Sequence, residues 1–171
     1  MKRVSSLEFA HDFEVKGVNL YMRLAAKTSN ILAKKVFYSL AQQEVDHARR
    51  IDEISAQLKA NKGWKPVTLE NAGNVENQVK KFFNSASKVQ LNKRANLKGY
   101  ETAIKMEQKG YAAYEQFYNK AKGNAEKAFF KQMMAEENKH LEALNNVYAY
   151  LTGNEDWIQA EESRTWNWMN T

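Results

Sequence analysis

The sequence predicts an all-α bundle, and three observations carry that reading. Proline occurs once in 171 residues, at Pro66, and five of the seven glycines (Gly63, Gly73, Gly99, Gly123 and Gly153) fall at or between the ends of long breaker-free stretches. Those stretches are rich in Ala, Leu, Lys, Glu, Gln and Met, the strong helix formers. Apolar residues recur along them in steps of three and four, the spacing of one helix face, while strand-like alternation of β-branched residues is scarce.

The first helix is predicted at 5–28, with a stripe of Leu7, Ala10, Glu14, Gly17, Tyr21, Leu24 and Thr28. A second, at 30–61, follows a short turn near Ser29-Asn30 and carries Ala33, Phe37, Leu40, Glu44, His47, Ile51, Ile54 and Leu58. Residues 62–95 form a long crossover, within which Val75, Val79, Phe82 and Phe83 have the spacing of a short amphipathic helix. The third bundle helix, at 96–121, shows Tyr100, Ala103, Glu107, Gly110, Tyr114, Phe117 and Ala121. The fourth, at 124–152, shows Phe130, Met133, Glu137, His140, Leu144, Val147 and Leu151 after a turn at Gly123-Asn124.

The two halves repeat. A shift of 93 places Ala10 on Ala103, Glu14 on Glu107, Gly17 on Gly110, Tyr21 on Tyr114, Phe37 on Phe130, Glu44 on Glu137, His47 on His140 and Leu58 on Leu151. Without a gap, 13 of 51 positions are identical, where average composition gives roughly three or four. Two pseudo-symmetric antiparallel hairpins joined by one long crossover is the connectivity of a ferritin-like four-helix bundle. Residues 1–153 make the bundle, and 154–171 form a tail whose Trp157, Trp166 and Trp168 are expected to cover its flank or a subunit contact.

Each stripe is interrupted at its middle by a glutamate, and two of the four also by a histidine three residues on. That i, i+3 spacing puts carboxylate and imidazole on one helix face. Packed about a pseudo-twofold axis, the hairpins bring Glu14, Glu44, His47, Glu107, Glu137 and His140 together at mid-bundle, the ligand set of di-iron and di-manganese carboxylate proteins. Unpaired buried carboxylates cost several kcal/mol each; two divalent cations balance four glutamates. An oxygen-rich, imidazole-poor set favours iron or manganese over copper, with zinc able to occupy it. The alternative is a metal-free bundle whose glutamates pair with lysines.

At these residues the chain resembles the rubrerythrin family of ferritin-like di-iron proteins, through Ala10…Glu14…Gly17…Tyr21, Glu44-Val45-Asp46-His47, Ala103…Glu107…Gly110…Tyr114 and Glu137-Asn138-Lys139-His140. The resemblance implies two irons bridged by Glu44 and Glu137, with Glu14 and His47 on one and Glu107 and His140 on the other. It implies reaction with hydrogen peroxide or dioxygen, using electrons from a separate carrier, or else ferroxidase-type handling of iron without peroxide turnover. Two features depart from the family. Rubrerythrins proper carry a rubredoxin domain with four cysteines, and this sequence contains none. They also place an extra glutamate one turn beyond the lone glutamate of the third helix, where this chain has Gly110, so the glutamate–histidine exchange made there is unavailable in that form.

Tyr21 and Tyr114 lie two turns from Glu14 and Glu107, where their hydroxyls can orient a ligand carboxylate. Gly17 and Gly110 leave room either for a small oxidant or for close helix contact. His11, whose repeat counterpart is Ile104, is read as an ordinary surface or core residue.

The absence of cysteine also excludes disulfides, zinc ribbons and thiolate iron–sulfur sites. The net charge is +6, and Lys80, Lys81, Lys88, Lys93, Arg94 and Lys98 face only Glu76 within Val75–Lys98. Such a stretch is either a solvated face or a dock for an acidic electron carrier; nothing accompanies it that would read nucleic acid. With no apolar run of bilayer length and charges interrupting the N-terminus, a cytoplasmic protein without membrane partners is expected, assembling as a homodimer.

Overall fold

The first helix, α1 (Ser6–Lys27), starts at a capping box in which the Ser5 hydroxyl accepts from the Glu8 amide and Glu8 accepts from the Ser5 amide. These bonds satisfy two of the amides a helix start leaves open. The chain reverses over three residues into α2 (Ile31–Lys59), capped by Asn30, whose side-chain oxygen accepts from the amides of Leu32 and Ala33. The end of α2 is marked by positive φ at Asn61 (55°) and Gly63 (68°). After the crossover come α3 (Val75–Ala86), α4 (Leu97–Lys120) and α5 (Asn124–Thr152). The computed structural model describes residues 5–65, 75–86 and 97–152. Pro66, Gly73, the basic residues Lys88, Lys93 and Arg94, and the tail with Trp157, Trp166 and Trp168 lie outside the described residues.

α1 packs along α2 and α4 along α5 as antiparallel hairpins, and the hairpins meet through α1 against α4 and α2 against α5. The architecture is the ferritin-like bundle. The crossover helix α3 buries Val75, Val79 and Phe82 against α2 and α5, where Phe82 and Phe83 pack edge-on to Tyr150 at 5.5 and 5.6 Å. No helix among the described residues is long and apolar enough to cross a membrane.

The stripes form the interior. All seven stripe positions from Leu7 on α1 to its C-cap Thr28, and all seven on α5, are buried. Two stripe positions depart from expectation: Leu58, in the last turn of α2, is exposed, and Phe117 is only partly buried. Leu58 stands one residue before the end of α2, where no helix among the described residues covers it.

The apolar interior divides into two clusters. One contains Tyr21, Leu24, Phe37, Leu40, Tyr100 and Leu144; the other contains Leu7, Ile51, Ile54, Tyr114, Phe130 and Met133. Along every bundle helix, the interrupting glutamates and histidines fall between residues of the first cluster and residues of the second. The bundle therefore sandwiches one polar layer between two dry ones.

Candidate metal centre

All six candidate ligands lie in that polar layer: Glu14, Glu107, Glu137 and His140 are 0% exposed, Glu44 2% and His47 4%. Each reaches it because a 3.6-residue period keeps the stripe facing inward along its helix. Their donor atoms form two groups, each with its atoms within 4.8 Å of one another. One group contains Glu14, Glu44, His47 and Glu137; the other contains Glu44, Glu107 and His140. Glu44 is common to both. Glu137 falls in the first group and also abuts Glu107 of the second.

Both imidazoles turn Nδ1 toward carboxylates. His47 Nδ1 lies 3.1 Å from Glu14 Oε2 and 3.4 Å from Glu44 Oε2. His140 Nδ1 lies 3.3 Å from Glu44 Oε1 and 3.5 Å from Glu107 Oε2. The rings are nearly parallel, with centroids 5.6 Å apart. The tyrosines complete the layer by exchange between hairpins: Tyr21 of α1 donates to Glu107 of α4, and Tyr114 of α4 donates to Glu14 of α1. Among the described residues these glutamates form hydrogen bonds and ion pairs with histidine and tyrosine and none with lysine, so lysine neutralisation does not account for the burial.

The electrostatics express crowding in a dry layer. Burial raises Glu14 from 4.5 to about 8, reinforced by the neighbouring Glu44 charge. Burial also pushes Glu137 well up, with Glu107 adding repulsion. Burial opposes the shift of Glu44, yet the close approach of Glu14 and of the His140 and His47 imidazoles holds it below the usual carboxylate range. Burial alone would lower both histidines; instead hydrogen bonds to Glu14 and Glu44 carry His47 to about 9, and the charges of Glu44 and Glu107 raise His140. Burial and the Glu14 charge raise Tyr114, which keeps its hydroxyl a donor.

Even so, the layer is incompletely satisfied. Glu44 Oε1, Glu107 Oε2, both carboxylate oxygens of Glu137 and Nδ1 of His140 are buried without a hydrogen-bond partner among the described residues. Orphaned buried polar atoms are rare because each costs about 1–3 kcal/mol, more when charged. Five clustered atoms of oxygen and imidazole type, split into two groups with one shared carboxylate, fit a pair of hard or borderline divalent cations.

The glycines serve close approach. A Cβ on Gly17 would stand 3.1 Å from Cγ and Cδ of Glu44. One on Gly110 would stand 3.0 Å from Cδ and Oε2 of Glu137 and 2.7 Å from a Phe13 ring carbon. Each glycine lets a glutamate from the neighbouring helix lie against its backbone, and at Gly110 Phe13 occupies adjacent space. His11 lies outside the layer, 3.5 Å from Asp52 on α2.

Sequence reasoning missed one residue. Gln43, 5% exposed, accepts at 2.8 Å from Nε2 of His140, on the side of the ring away from the carboxylates. Its place beside Glu44 was a signal; its side chain reaching α5 was not legible without the packing.

Comparison with curated proteins and with solved structures finds no match. The rubrerythrin family model matches residues 6–148 and, in a second span, 98–167. The first match covers both hairpins and every residue of the polar layer, and the second begins in α4, near the start of the second repeat. The chain belongs to the rubrerythrin family.

Proposed function

We propose that this chain is a non-haem di-iron oxidoreductase that reduces hydrogen peroxide or dioxygen with electrons from a separate protein. The observation that supports it best is the set of five orphaned donor atoms in two groups meeting at Glu44. Glu14, Glu44, His47 and Glu137 would hold one ion, and Glu44, Glu107, Glu137 and His140 the other. When bound, the iron pair supplies the two electrons that peroxide needs to become water, with two protons taken up.

The chain's own residues set the conditions for that chemistry. Tyr21 and Tyr114 fix the rotation of Glu107 and Glu14 by donating to one oxygen of each. The two apolar clusters exclude bulk water above and below the layer, which strengthens electrostatic interactions within it. Exposed Lys35, Lys81 and Lys98 support docking of an acidic carrier, and a salt-sensitive association rate is expected. Exposed Val15, Met22, Tyr38 and Val45 on the α1–α2 hairpin support a homodimer.

A second reading, ferroxidase-type iron handling without peroxide turnover, is favoured by Gly110, where Phe13 and Glu137 leave no room for a further carboxylate. Anaerobic stopped-flow mixing of the reduced, iron-loaded protein with peroxide separates the two. The oxidoreductase reading expects fast oxidation by peroxide and repeated turnover when an acidic carrier and its reductase are present. Slow oxidation by peroxide, unaffected by the carrier and overtaken by dioxygen, would put iron handling in its place.

A further inference from the structure

The repeat makes the two halves of the polar layer equal in ligands, yet they differ behind the histidines. Nε2 of His140 meets the side-chain oxygen of Gln43 at 2.8 Å, and both residues are buried. An amide oxygen can only accept, so Nε2 carries a hydrogen, and Nδ1 is the nitrogen left to give up its proton and present a lone pair to a cation. Nδ1 faces Glu44 at 3.3 Å and Glu107 at 3.5 Å. One bond therefore sets both the ring's angle and its tautomer.

The other half carries no amide at the equivalent position. The shift of 93 places Gln43 on Glu136. Glu136 accepts from Lys139 on its own helix at 2.8 Å. The Gln43 bond thus joins the two hairpins, from α2 to α5, on one side of the layer.

We propose that Gln43 is a positioning residue that presets His140 and makes the two cation positions inequivalent, the Glu107/His140 position depending on it and the Glu14/His47 position not. The inference rests on the metal-binding reading above. Partners behind a ligating histidine typically govern affinity by 10–100-fold.

Titration of metal-free protein with Co²⁺, followed by visible absorption, tests it. Wild type should take up two ions per chain. Gln43→Met keeps the length of the side chain and removes the acceptor; one ion should bind as in wild type and the other about 10–100-fold more weakly, with an altered absorption band. Gln43→Glu restores an acceptor oxygen and should recover the second ion, a rescue that a purely packing role would not produce. Equal weakening of both ions in Gln43→Met, no weakening, or no rescue by folded Gln43→Glu would each overturn the inference while leaving two-ion binding by wild type intact. A wild type that bound no pair would instead overturn the metal-binding reading, and this inference with it.

Discussion

Tyr114 on α4 donates its hydroxyl to Glu14 on α1, 100 residues earlier in the chain, and Tyr21 returns the same bond from α1 to Glu107 on α4. Each hairpin thus orients the lone glutamate of the other. The two bonds stitch the hairpins together at the layer where an apolar interface is interrupted.

The exchange predicts a pattern of couplings. Tyr114→Phe should destabilise the protein by about 1–3 kcal/mol by stranding a buried carboxylate oxygen. Combined with Glu14→Gln, the effects should be clearly non-additive; combined with Glu107→Gln, they should lie closer to additive. Urea unfolding of the three single variants, the two double variants and the wild type measures this. The reverse pattern would mean that each tyrosine serves the glutamate on its own helix.

Glu44 belongs to both donor groups, and Glu14 to one. Glu44→Ala should therefore reduce bound iron from two ions to less than one per chain, while Glu14→Ala should leave about one, on the expectation that ligand loss at a shared position affects both ions. Elemental analysis of the purified variants reads the difference. Equal metal content in the two would show that Glu44 does not serve both groups.

Alanine at the two inner glycines opposes two effects. Helix propensity favours alanine by about 1 kcal/mol, but the new methyl would press on Glu44 from position 17, and on Phe13 and Glu137 from position 110. The nearest approach is 3.1 Å at Gly17 and 2.7 Å at Gly110. Gly17→Ala should leave thermal stability within about 1 kcal/mol of wild type and weaken the cations modestly. Gly110→Ala should lose stability, by about 1–3 kcal/mol, and weaken them more. Calorimetry and metal titration together check the order; a Gly110→Ala variant more stable than Gly17→Ala would contradict it.

The pH dependence of the metal-free protein follows from the raised groups. Glu14 stands at about 8 against an ordinary 4.5, and His47 at about 9 against 6.5. Folded protein therefore holds protons that the unfolded chain releases, and stability should fall as pH rises from about 5 to about 9. Glu137 and His140, raised likewise, act in the same sense. Glu44, held low, contributes stability that is lost only as pH falls below about 4.5. Cations compete with the same protons, so the gain in Tm on metal loading should widen over that window. A gain independent of pH between 5 and 9 would show that these groups are not the ones the cations displace.

Much of this was legible in the residues. Helix periodicity repeats identically wherever a stripe recurs, so the spacing alone assigns Leu7 to Thr28 and Phe130 to Leu151 to the interior, and Glu14, Glu44, His47, Glu107, Glu137 and His140 to its middle. Family membership, too, was carried by those residues at those spacings. Leu58 failed because a stripe does not say where the facing helix stops.

By itself, then, the sequence determined which side chains enter the bundle and at what height, since both follow from local period and from a repeat along one chain. Only the tertiary structure decided their partners across helices: Tyr21 with Glu107 rather than Glu14, Gln43 behind His140, and Gly110 against Phe13 and Glu137. Those choices depend on how two hairpins rotate against each other when their apolar layers close, and a rotation between helices leaves no trace in the spacing within either one.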